Sequence, residues 1–148
     1  MVSEHTAKAF DSDLQELTRL VAEMGGLAER MIVDSVDALV RRDVALGQRV
    51  VAADTEIDKL QRTIEERAVL TIARRQPMAV DLREIVGAMR VATDIERIGD
   101  LAKNIERIGD HATNIAETVF YMIEGQQIMD KRPKGDMTTF ATAVPGNT

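Results

Sequence analysis

Near the start of the chain, Leu14, Leu17, Val21, Met24, Ala28, Met31, Ser35 and Ala38 fall at alternating steps of three and four, with Ser35 the one polar member. That spacing holds side chains on one face of a 3.6-residue period and predicts a long amphipathic helix. A second line with the same spacing, Leu46, Val50, Ala53, Ile57, Leu60, Ile64, Ala68 and Ile72, predicts a second helix with Asp43 as its N-cap. The phrase RRQP closes it, because Pro77 disfavours helical geometry at Gln76. A third line runs through Ile85, Ala88, Ala92, Ile95, Gly99, Ala102, Ile105, Gly109, Ala112, Ala116, Val119 and Ile123, and Asp81 with Glu84 is spaced as a capping box at its start. No further proline occurs before Pro133, so one helix from Asp81 to Gly125 would run roughly 66 Å at 1.5 Å per residue.

Short connections make consecutive helices antiparallel neighbours. The expected fold is therefore all-α, a single antiparallel three-helix bundle over residues 1–125. From Gln126 the sequence KRPKGDMTTFATAVPGNT replaces periodicity with Pro, Gly and Thr, and residues 126–148 read as a flexible tail. Gly25-Gly26 lowers helix propensity by about 1 kcal/mol per glycine relative to Ala, and a close helix contact would explain its presence. The third helix outreaches the other two. It either bends back or projects an apolar end containing Phe120, Tyr121, Met122 and Ile123, which predicts a homo-oligomer.

Composition narrows the function. The chain has 148 residues, no cysteine, 3% aromatics and a net charge of -6. Disulfides, thiolate metal sites and Cys nucleophiles are excluded, and the acidic balance argues against nucleic acid as a partner. The opening MVSEHTAKAFDSD lacks the apolar core of a signal peptide, and no run is long enough to span a membrane. A cytoplasmic location is the expectation.

Residues 95–114 read IERIGDLAKN IERIGDHATN, one phrase written twice with eight of ten positions identical. Each phrase carries a carboxylate pair four residues apart, Glu96 with Asp100 and Glu106 with Asp110, and ADTEID on the second helix carries a third, Asp54 with Asp58. Residues four apart share a helix face, where like charges repel unless a cation or arginine neutralises them. By count, solvated flank positions with Arg97, Arg107 and Lys103 as surface partners are the commoner explanation. The functional alternative is an oxygen-ligated site for Mg, Mn or iron between the second and third helices. A di-iron oxidase fits less well, since Ile108 rather than Glu stands three before His111, and nucleophilic hydrolysis fits worse still, with neither Gly-x-Ser-x-Gly nor a phosphate loop.

The phrases DIERIGDLAKNI and IERIGDHATNIAETVFYMIEG, with RQPMAVDLR and ADTEIDKL, closely resemble the PhoU family of bacterial phosphate regulators. The resemblance implies a cytoplasmic, non-enzymatic, all-helical protein of two similar three-helix bundles, whose E/D-x-x-x-D motifs hold divalent metal, in some cases as multinuclear clusters. It also implies partners: the ATPase of the phosphate ABC transporter and a membrane sensor histidine kinase, through which phosphate-starvation genes stay off. By motif, the implied metal ligands are Asp54, Asp58, Glu96, Asp100, Glu106 and Asp110. Here the two ERIGD phrases, which should close separate bundles, stand ten residues apart. The simplest account is an internal deletion, giving a first bundle to about residue 104 joined to the last helix of a second from about residue 105. Ten residues turn a helix by about 1000° and advance it roughly 15 Å, so the two pairs cannot share one cluster on a straight helix. The alternative to a regulator is a structural, oligomerising helical fragment without tight metal binding.

Overall fold

The computed structural model describes residues 2–125, with side chains from residue 7 onward. The expected tail, 126–148, lies outside the described residues. Three helices follow one another: α1 (Val2–Arg41), α2 (Val44–Arg75) and α3 (Ala79–Glu124), each packed against both others in an antiparallel bundle. Among the described residues there is no strand, and no helix is long and apolar enough to cross a membrane.

The connections are built from local hydrogen bonds. Arg42 turns left-handed at φ 55°, and the Asp43 N–H donates to Ala38 O at 2.9 Å. The Asp43 carboxylate then accepts from Leu46 N at 2.9 Å, capping α2 as its position predicts. At the other end Gln76, ahead of Pro77, is left-handed at φ 47° and donates to Ile72 O at 3.1 Å. The capping box at Asp81 and Glu84 does not form. α3 starts two residues earlier, at Ala79, with Met78 as an N-cap that makes no side-chain bond. Asp81 stands instead in the first turn, where its charge complements the helix dipole.

The core follows the apolar lines. Leu17, Leu20, Met24, Ala28 and Met31 of α1 meet Val50, Ile57, Ile64 and Ala68 of α2 and Ile85, Ala92 and Ala102 of α3. Ser35 is fully buried, and its hydroxyl donates to Ile32 O at 2.8 Å, so the one polar member of the first line takes no unpaired group inside. At one end of the bundle an ion pair of 3.1 Å ties Arg75 to Asp13. Gly25 and Gly26 do not mark a close contact: a Cβ built on either meets no heavy atom nearer than 3.8 Å. The tight approaches are Gly47, where a Cβ would lie 3.1 Å from Glu106 Cγ, and Gly109, 3.0 Å from Leu39 Cδ1.

α3 is unbroken over 46 residues, so it does not bend back. Its core contacts end at Ala102, and Ile105 and Gly109 are half-buried where α1 and α2 turn into each other. Residues 110–124, about 22 Å of helix, run on with Ile115, Val119, Phe120, Tyr121, Met122 and Ile123 exposed.

Candidate functional site: a carboxylate cluster with its own cation

The seam between α2 and α3 narrows at Gly99. A Cβ there would lie 3.4 Å from Ile57 Cγ2 and 3.5 Å from Asp54 Oδ1, so the missing side chain gives Asp54 its place against α3. Asp54 is 8% exposed, the one buried carboxylate among the described residues. Such a group needs a counter-charge or donors to offset lost hydration. Lys103 supplies them. Its ammonium donates to Asp54 Oδ2 across the seam, and it pairs with Asp100 Oδ1 at 3.1 Å on its own helix.

One ammonium therefore bridges carboxylates from two helices. The bond to Asp54, more than Asp100, raises the Lys103 pKa above its ordinary value against a smaller opposing effect of burial, which keeps the group charged. Glu96 and Asp58 complete the acidic surroundings. Desolvation, then the charges of Asp100, Asp58 and Asp54, raise the Glu96 carboxyl above the usual range. Four of the six residues singled out from the sequence are thus brought within one another's influence.

Glu106 and Asp110 form a separate pair. Glu106 is half-buried over Gly47, and desolvation followed by Asp110 raises its pKa, with Arg107 partly offsetting both. Asp110 and His111 are exposed, the latter an ordinary polar helix position. The separation agrees with the turn and rise that ten residues impose.

The donor chemistry suits hard divalent ions, since Asp and Glu oxygens are the ligands Mg, Mn and iron take. The arrangement does not. The ammonium of Lys103 takes the place between Asp54 and Asp100, and no group of three or more His, Asp or Glu residues among those described is disposed to hold a metal ion. Lys103 is also the member of the cluster that sequence reasoning missed, having been grouped with Arg97 and Arg107 as a surface partner. Its only signal was the mismatch between the two phrases, where Lys103 corresponds to Thr113.

An antiparallel three-helix bundle with E/D-x-x-x-D carboxylate pairs facing across its second and third helices defines a class of helical, acid-seamed domains. Comparison with known proteins gives the class its family. The sequence profile of the PhoU domain matches residues 21–105 and again 101–119. The chain belongs to the PhoU family. Its relatives include the phosphate-specific transport system accessory protein PhoU homolog of Rhizobium meliloti (strain 1021), 56% identical over 103 residues, 70% of this chain and 44% of the relative. The same-named homolog of Caulobacter vibrioides is 49% identical over 102 residues, 69% of this chain and 44% of the relative. That of Pseudomonas putida is 40% identical over 101 residues, 68% of this chain and 40% of the relative. The chain thus spans less than half the length of these relatives.

Proposed function

We propose that this chain is a non-enzymatic accessory protein of phosphate-specific transport, a negative regulator of the phosphate-starvation response that works in the cytoplasm through protein contacts. The observation that carries the reading is the PhoU-domain match over residues 21–105, which takes in the C-terminal half of α1, all of α2 and the acid-seamed half of α3. The relatives' names, which give them as accessory proteins of the phosphate-specific transport system, support the same reading. The partners it implies are the transporter ATPase and a sensor histidine kinase. Contacts with proteins, rather than metal chemistry, carry the proposal. A pull-down of ATPase and kinase by the chain, beside a full-length relative, tests it; retention of either partner supports the reading, and loss of both overturns it.

The second match, 101–119, overlaps the first at the repeated phrase and supports the internal-deletion account, with the distal part of α3 corresponding to a helix of another bundle. That origin favours a second reading, an oligomerising fragment. The distal segment is apolar along Ile115, Val119, Met122 and Ile123, which stay exposed among the described residues; the same segment of a second copy has the matching need. Ile115→Glu with Val119→Glu should convert an oligomer to a monomer in sedimentation velocity. An unchanged sedimentation coefficient would reject the distal segment as the interface.

A further inference from the structure

The two ten-residue phrases form an internal control for what a carboxylate pair of this type needs. They differ at two positions only, Leu101 against His111 and Lys103 against Thr113. In the first phrase the lysine reaches across to a buried carboxylate of α2. In the second, the Thr113 hydroxyl turns back onto its own helix and donates to Gly109 O at 3.1 Å, so Glu106 and Asp110 have no ammonium in the equivalent place.

We propose that Lys103 is the resident cation of the α2–α3 carboxylate cluster and holds divalent metal ions out of it. Three features of the site support this. The ammonium satisfies Asp54 and Asp100 together, the pair a bridging metal would have to claim from separate helices. It is tethered three residues from Asp100 on a rigid helix, so its effective concentration at the site far exceeds that of a dissolved ion. A divalent ion would have to shed its own water, displace the ammonium and then tolerate a positive charge close by. Lys103 keeps about a quarter of its side-chain surface open, at 26%, so a route for displacement into solvent exists, and the lysine blocks by competition rather than by sealing the site. The metal ligation implied by family resemblance is thus replaced in this chain by an internal charge.

Titration calorimetry with MnCl2 on the full chain tests the proposal. The parent should bind Mn2+ with an affinity that Asp54→Asn leaves unchanged. Lys103→Met should bind at least about tenfold more tightly, with Asp54→Asn added to it removing the gain, and Lys103→Arg should behave as the parent. Equal affinity in Lys103→Met and parent would overturn the proposal, as would tight parental binding that Asp54→Asn abolishes. If Lys103→Met loses helicity by circular dichroism, recovery on adding Mn2+ supports the assignment, and failure to recover counts against it. Neither result bears on the transporter or kinase contacts, so this inference and the regulatory reading fail separately.

Discussion

The phrases at 95–104 and 105–114 share their local sequence and their helix, yet the bundle treats them differently. In the first, Gly99 and Ala102 are buried against the neighbouring helices. In the second, the equivalent Gly109 is half-buried and Ala112 exposed. Helix propensity cannot distinguish these positions, because the glycine and the alanine are the same in both phrases. The difference comes from phase and position: the second phrase is turned about 80° and moved roughly 15 Å along the axis, to where α1 and α2 end. A motif of this kind acquires its chemistry from the surface it faces rather than from its own letters.

Matched substitutions sharpen the contrast. Ala102→Leu overpacks a closed core and should cost about 1–3 kcal/mol, whereas Ala112→Leu at the equivalent exposed position should change stability by less than about 0.5 kcal/mol. Urea unfolding of both variants measures the gap, and equal losses would break the comparison. Next in size, Asp54→Asn should cost about 1–2 kcal/mol by weakening a charge-assisted bond at a buried site, while Asp110→Asn should be neutral or slightly stabilising because it relieves Glu106. A smaller gain, a few tenths of a kcal/mol, is expected from Thr113→Lys, which gives the second pair an ammonium in the place that Lys103 takes in the first.

The pH dependence supplies the smallest effect. The folded-state pKa of Glu106 is raised, first by desolvation and then by Asp110. Between the ordinary carboxylate value and the raised one, the native chain holds more proton than the unfolded chain, so this group's contribution to stability is present at low pH and lost as pH rises through that window. Glu106→Gln should remove the slope and, at neutral pH, stabilise by a few tenths of a kcal/mol. Thermal melts of parent and variant from the carboxylate range to pH 7 should converge on the acid side. Parallel curves would show that the charge of Glu106 is not under strain.

The helices were legible because apolar spacing sustained over long stretches leaves one face to bury, and the Asp43 cap was legible because capping depends on residues three apart. Where local pattern misled, tertiary structure had decided. Asp81 and Glu84 have capping-box spacing, but Pro77 with Met78 starts α3 sooner. Gly25-Gly26 suggested a tight contact that falls instead at Gly47, Gly99 and Gly109, since interhelical register, not glycine content, chooses the point of approach. The acidic residues of the seam were visible as pairs four apart. Their cation was not, because the bond from Lys103 to Asp54 spans 49 positions in sequence and depends on how far α2 has slid along α3.

A double-mutant cycle with Asp54→Asn and Lys103→Met, read by urea unfolding at low salt, addresses the central claim most directly. If one ammonium holds the α2–α3 carboxylates together, the coupling energy should be about 1 kcal/mol or more, because the pair is partly buried. A coupling below about 0.3 kcal/mol, the level of independent sites, would contradict it.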